Sequence, residues 1–236
     1  VDEFIASDEQ FNWTIEELAK LPIKWYGGAD LSKMHDLTAS ALVGEYEFEG
    51  KKIDIAITHA FFPIASAKEK AEDDGIPLFG WKDDGWLTMS NTKTVLYDDV
   101  VKWFIQMRQL GFNIRSIGFD RKFGREFVSK MKKNKFRMVD QPQYFWKKSE
   151  GFRRIEMKVK NKEFYYAHSE AFEYCVGNVR AIEKTDDMIQ YEKADGDGGT
   201  QPIDIFDETV FATVQMLQEI DSKANRAKDF FGLKGD

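Results

Sequence analysis

The chain has 236 residues, 42% hydrophobic and 14% aromatic, which suits one sizeable α/β domain and excludes a globally disordered or collagen-like chain. Its 34 Lys+Arg against 41 Asp+Glu give a net charge of −7, which taken whole argues against a nucleic-acid partner. The single cysteine, Cys175, excludes an internal disulfide framework and a cysteine-based zinc site, and is expected to fill the core.

The start, Val1-Asp2-Glu3, has neither a basic n-region nor an apolar h-region, and no apolar run approaches the roughly 20 residues that span a bilayer. A soluble, intracellular protein with no membrane partner is expected. The first residue is not Met, so the chain is expected to be a piece of a longer polypeptide. Residues 1–22 read as a lead-in holding a short helix over 13–20. There Thr14 is the N-cap, Glu17 completes a capping box and Pro22 closes the segment.

Residues 23–30 predict a strand, followed by polar turn residues at 32–36. The stretches 37–48 and 53–62 favour strands and are separated by the turn residues Glu49-Gly50-Lys51-Lys52, so an antiparallel three-strand meander is expected. A helix is expected over 65–74, up to Gly75. A second, over 94–110, stacks Leu96, Val100, Trp103, Met107 and Leu110 on one face and stops at Gly111.

Residues 114–120 predict a strand ending in Asp120, and the basic segment 121–137 a helix and then a strand. Residues 141–162 are aromatic and basic, without a clear element. Residues 163–178 read as strand then helix, 186–193 as a strand, and 195–199 as a loop. The last helix, about 204–220, buries Phe206, Val210, Val214 and Leu217 on one face. The domain is expected to span 23–221, with a flexible tail over 222–236.

Aspartates stand at element ends three times: Asp30 after the first strand, Asp120 after the fourth, and Asp204 or Asp207 at the start of the last helix. Grouped carboxylates are hard oxygen ligands for Mg²⁺ or Mn²⁺, and two such ions about 3.5–4 Å apart are the apparatus of phosphodiester hydrolysis. Asp204 and Asp207 also fit as N-cap and third helical position, where the helix dipole favours acids.

The charge is unevenly placed. Residues 115–162 hold 16 Lys+Arg against 5 Asp+Glu, a local +11, leaving 18 against 36 elsewhere. Arg121, Lys122 and Arg125 follow Asp120 directly, and Lys130, Lys132, Lys133, Lys135, Arg137, Lys147, Lys148, Arg153 and Arg154 extend the positive stretch. Contact with a DNA backbone is expected of it. His35, beside a proposed ligand, could serve as a proton-transfer group or secondary ligand but is expected to be a surface turn residue, and the aromatics Tyr144, Phe145 and Trp146 could stack on unpaired bases but are expected to pack in the core.

The segments WYGGADLSKMHDLTAS (25–40), IGFD (117–120), YCVGN (174–178), Lys193 and IDIFDETVFA (203–212) together resemble, in order, the nuclease domain of tailed-bacteriophage large terminase subunits. The resemblance spans almost the whole chain. It implies an RNase H-like α/β fold with a mixed central sheet flanked by helices. It also implies a metal-dependent endonuclease that cuts concatemeric double-stranded DNA in the host cell cytoplasm when packaging starts and ends.

On this resemblance Asp30 and Asp120 are the first and second catalytic metal ligands and Asp204 the third. Asp207 shares or replaces Asp204, Asp36 is a turn or outer residue, and two Mg²⁺ or Mn²⁺ ions are the cofactors. Arg121, Lys122, Arg125, Lys132 and Lys133 are the DNA-binding candidates. Large terminases also carry an ATPase, and no GxxxxGK[ST] occurs; the nearest approach, GIPLFGWK at 75–82, has Trp81 where the lysine belongs. The expected partners are therefore an ATPase domain missing from this chain, the portal and the small terminase subunit. Two other classes fit the same residues: an RNase H-like junction resolvase or transposase core, told apart by branched or terminal-repeat substrates, and a non-catalytic DNA-binding assembly module, which binds without metal and does not cut.

Overall fold

A computed structural model describes residues 1–31, 36–120, 124–142, 144–184, 188–196 and 199–230, without the side chains of Asp30 and 227–230. The elements in chain order are α1 (Asp2–Asp8), α2 (Ile15–Lys20), β1 (Lys24–Asp30), β2 (Thr38–Phe48), β3 (Lys51–Pro63), α3 (Ile64–Asp74), α4 (Leu78–Asp83), β4 (Leu87–Ser90) and α5 (Tyr97–Leu110). They continue with β5 (Asn113–Phe119), α6 (Arg125–Lys133), β6 (Met138–Asp140), α7 (Phe145–Lys160), β7 (Phe164–Tyr165), α8 (Glu170–Gly177), β8 (Val179–Glu183), β9 (Ile189–Lys193) and α9 (Asp204–Phe230).

The main sheet has the order β4-β3-β2-β1-β5-β6, with β7 also pairing β3, while β8 and β9 form a separate hairpin. β1, β2 and β3 form the expected antiparallel meander. The β2–β3 turn is the two residues Glu49-Gly50, both at positive φ, the geometry that matches strand twist in tight hairpins. β5 lies parallel to β1, and β6 parallel to β5. This mixed sheet with helices on both faces agrees with the fold class expected from the sequence.

Both faces are buried, and strand alternation sorts the side chains between them. One core layer takes Tyr26, Ala39, Ala41, Val43, Ala56 and Ala60 from the sheet against Ile205, Phe206, Val210 and Met216 of α9. The other takes Trp25, Leu42, Ile55, Ile57 and Ile117 against Val100, Phe104 and Met107 of α5 and Phe127 of α6. The alanine-rich face lets α9 lie close on the sheet. Cys175 is fully buried on that side, as expected, and burial pushes its thiol pKa up.

The Thr14 capping box forms: Thr14 Oγ1 accepts from Glu17 N at 3.1 Å, and Glu17 Oε2 from Thr14 N at 2.8 Å. The lead-in is tied to the domain through α1. Ser7 bonds both backbone groups of Phe164, while Asp8 accepts from the Tyr166 and His168 amides. α9 continues to Phe230, so 222–230, expected as tail, prolong the helix; 231–236 lie outside the described residues. The strand expected within 121–137 falls at β6, just beyond it, and 141–162 contain the sixteen-residue helix α7.

His59 on β3 stacks on Trp103, with Nε2 2.8 Å from Thr88 Oγ1. Burial lowers its pKa from 6.5 to about 4. The folded state thus binds the proton less readily than the unfolded chain. Stability is fully present above pH 6.5 and falls as the pH drops towards 4, by about 2–3 kcal/mol at pH 4.5. Urea midpoints at pH 7 and 4.5 should therefore separate more for the wild type than for His59→Gln, and equal separations would remove His59 as the cause.

Candidate functional site

β1 and β5 are neighbouring parallel strands in register from Gly27↔Ile117 to Ala29↔Phe119. Asp30, the last residue of β1, and Asp120, the first after β5, therefore succeed paired residues at the same end of the sheet. On its other side Asp30 pairs with Ala39 of antiparallel β2. The carboxyl ends of parallel strands are where open α/β sheets build sites. The Asp30 side chain lies outside the described set.

α9 is brought to the same end by close approach. A Cβ on Gly28 would come within 2.9 Å of Ala212 N and 3.1 Å of Glu208 O. From the other side, a Cβ on Gly151 of α7 would come within 2.8 Å of Val210 O. Glycine at both points lets the first turns of α9 lie between β1 and α7. Asp30 lies two residues after Gly28 on β1, and Asp204 begins the helix one turn before Glu208. Gly28→Ala should destabilise the fold by about 1–3 kcal/mol in urea titration, because backbone atoms of α9 must move; unchanged stability would show that the helix has slack at this crossing.

Asp204 sits in a network of acids around one ammonium. Lys70 on α3 is 2.9 Å from Asp74 and 4.0 Å from Asp36. Burial disfavours the Lys70 charge, but the Asp74 hydrogen bond and the charges of Asp36, Asp74 and Asp204 outweigh it and hold its pKa above the ordinary lysine value. The Lys70 hydrogen bond in turn holds Asp74 below the ordinary carboxylate value. Asp36 also accepts from the Leu37 amide at 2.8 Å; the rest of its expected turn, 32–35, lies outside the described residues.

The segment leading into Asp204 is strapped by side chains from α8 and β9. Tyr174 donates to Gln201 Oε1 at 2.5 Å, Asn178 Nδ2 to Pro202 O at 3.0 Å, and Lys193 Nζ to Gly199 O at 2.9 Å. Gln201 itself donates to Asp74 O at 2.8 Å. Tyr174 and Asn178 of the YCVGN motif, with Lys193, thus hold the segment that leads into α9.

Asp207 is engaged elsewhere. Its oxygens accept from Lys148 Nζ of α7 at 2.7 and 3.0 Å and from the Tyr191 hydroxyl of β9. Burial and this carboxylate push the Tyr191 phenol well above its ordinary pKa. Asp204 and Asp207, three residues apart, therefore serve different surroundings. Glu208, one turn beyond Asp204 and 3% exposed, was not singled out from the sequence; its i+4 spacing from Asp204 was the available signal. Among the described side chains no group of three metal-ligating residues converges, and that set lacks Asp30.

The basic stretch divides. Lys130 pairs with Asp98 and Glu126, Arg137 with Glu219, Lys148 with Asp207, and Arg154 with Asp54 and Glu45. These four, expected to extend a DNA-facing surface, make internal ion pairs. Arg125, Lys132 and Lys133 are exposed on α6 around a shallow concavity of about 510 Å³ with Val128 and Ser129. Arg121, Lys122 and His35 lie outside the described residues. Tyr144, Phe145 and Trp146, expected in the core, are each 48% exposed.

Residues 23–219 match the family model described as the terminase large subunit, endonuclease domain. No curated protein sequence matches the chain. The large terminase of bacteriophage HK97 matches with a TM-score of 0.72 at 22% identity, over 82% of this chain and 40% of that one. The chain thus spans well under half the length of that relative. The large terminase nuclease of thermophilic phage G20c matches at TM-score 0.51 and 10% identity, over 82% of this chain and 83% of that one. The manganese-soaked human cytomegalovirus terminase nuclease domain matches at TM-score 0.51 and 9% identity, over 90% of this chain and 93% of that one. At these identities the structural likeness speaks to the fold alone.

Proposed function

The chain belongs to the endonuclease-domain family of the terminase large subunit, and from that premise we propose that it is a divalent-metal-dependent endodeoxyribonuclease that cuts concatemeric double-stranded viral DNA. Asp30, Asp120 and Asp204 are the catalytic carboxylates, and Asp207 anchors the helix that carries Asp204. The observation that supports this assignment is the register of β1 and β5, which aligns the backbone positions of Asp30 and Asp120 beside the seated start of α9.

The donor set fits hard divalent cations: all three side chains are carboxylates, the preferred ligands of Mg²⁺ and Mn²⁺. Two such ions, when bound, would supply an activated water and offset negative charge at the scissile phosphate. The protein's own part is positional. Asp30 ends, and Asp120 directly follows, strands that cannot shift without breaking the sheet, and Asp204 is held by the Gly28 crossing and the Tyr174–Asn178 strap. Lys70 offsets part of the repulsion among Asp36, Asp74 and Asp204 when no cation is present. Arg125, Lys132 and Lys133, with Arg121 and Lys122, hold the DNA backbone without reading sequence.

An ATPase domain, the portal and the small terminase subunit are the partners this assignment requires, in the host cytoplasm. Among the described residues no helix is long and apolar enough to cross a membrane. The test is nicking of supercoiled plasmid by the chain with Mn²⁺ or Mg²⁺. Relaxed and linear products that vanish with a chelator support the proposal, and intact plasmid under every metal tried would refute it.

A further inference from the structure

Three large aromatic side chains stand in the open at the start of α7. Tyr144, Phe145 and Trp146 are each 48% exposed, although the largest fully buried side chains elsewhere in the chain are all of this kind. Tyr144 and Trp146 stack face to face, with centroids 4.5 Å apart and planes at 9°, and Phe145 meets Trp146 edge-on at 5.6 Å. Contiguous exposed apolar surface of this sort marks a binding surface.

Its place in the fold says what binds. Gln141 N donates to Phe119 O at 2.8 Å, one residue before Asp120, and Tyr144 N donates to Pro142 O at 2.9 Å. The aromatic group therefore begins within one short turn of the Asp120 strand end. On its far side, two residues past Trp146, Lys148 holds Asp207 of α9. The stack is bracketed by the two elements that carry Asp120 and Asp204. Lys147 and Lys148 of this stretch are matched by Asp140 and Glu150 at its ends, and Lys148 is paired with Asp207, so local charge is balanced and it is the nearness to the Asp120 strand end that suits the stack to a nucleic-acid strand.

We propose that Tyr144 and Trp146 form a platform on which an unpaired nucleobase stacks, at a strand end or a frayed position beside the cut. Inside an intact duplex both faces of a base are already covered, so a flat aromatic face gains nothing from it. Cutting creates strand ends at this place. Stacking on an aromatic face tolerates any sequence, as an enzyme of weak sequence selectivity needs.

The proposal rests on Asp120 and Asp204 marking the cutting site, but its test does not need cutting. Fluorescence anisotropy in metal-free buffer compares a labelled blunt duplex with the same duplex carrying a short oligothymidine overhang. Wild type should favour the overhang by on the order of tenfold. Tyr144→Ala and Trp146→Ala should erase that preference and leave blunt-duplex affinity within about twofold, while Trp146→Phe should retain most of it. No preference in the wild type, or equal losses on both duplexes, overturns the platform. So does a wild-type dimer that sediments as monomer after Trp146→Ala, since the surface then binds a second copy. Overhang preference without plasmid nicking would uphold the platform and count against the nuclease assignment alone.

Discussion

Asp120→Asn should lower metal-dependent plasmid nicking by about 10³-fold, which corresponds to removing several kcal/mol of transition-state stabilisation. The substitution keeps size and one oxygen donor but removes the charge that makes the group a good ligand for a hard cation. Circular dichroism and urea midpoint should stay near wild type, because Asp120 follows β5 and contributes no ladder pairing there. Metal-free DNA binding should be unchanged or tighter, because a negative charge facing phosphate has gone. Asp30→Asn and Asp204→Asn should behave alike.

Asp207→Asn separates the two helix acids. Lys148 and Tyr191 would lose their anionic acceptor, at a cost of about 1–2 kcal/mol for a partly exposed group. Nicking at low temperature should stay within a few-fold of wild type. Nicking lost in Asp207→Asn and kept in Asp204→Asn would exchange their roles. Full activity in Asp120→Asn would remove the carboxylate site altogether.

What could be read from the sequence follows from which interactions are local. The Thr14 capping box, the Glu49-Gly50 turn and the apolar face of α9 are each specified within a few residues, and all formed; on α5 the expected face is buried at Val100, Trp103 and Met107, while Leu96 and Leu110 at its ends are exposed. The short elements α4 and β4 were not legible, because Gly80, Asp83, Asp84 and Gly85 read as loop chemistry while Trp81 and Leu87 are held by the tertiary core. α7 escaped for a related reason: its aromatic start lies outside the core, so apolar spacing across 144–159 does not trace one buried face.

The same limit applied to the site. Aspartates at strand ends were legible, because strand boundaries are local. Which of Asp204 and Asp207 turns towards Lys70 and which towards Lys148 depends on α3 and α7, which lie far away in sequence. Tyr174 and Asn178 were legible as part of a resemblance, and only the hydrogen bonds to Gln201 and Pro202 give them a physical task.

Charge reversal at Lys132 and Lys133 should give the largest loss of DNA affinity. A basic segment counted along the chain overstates the surface it offers, since Lys130, Arg137, Lys148 and Arg154 are engaged in internal pairs. Lys132 and Lys133 lie exposed with Arg125 on α6, beyond the β5 end that carries Asp120. Each neutralised phosphate contributes about 0.9 to the slope of log affinity against log salt. Lys132→Glu with Lys133→Glu should therefore flatten that slope by about 1.8 and weaken binding by one to two orders of magnitude at low salt, equally for unrelated sequences. Lys130→Glu, by contrast, should change the slope little and act mainly on stability, through repulsion from Asp98 and Glu126. An unchanged slope in the double reversal would take α6 out of the DNA footprint, and a loss confined to one sequence would mean base contacts where only backbone contacts are expected.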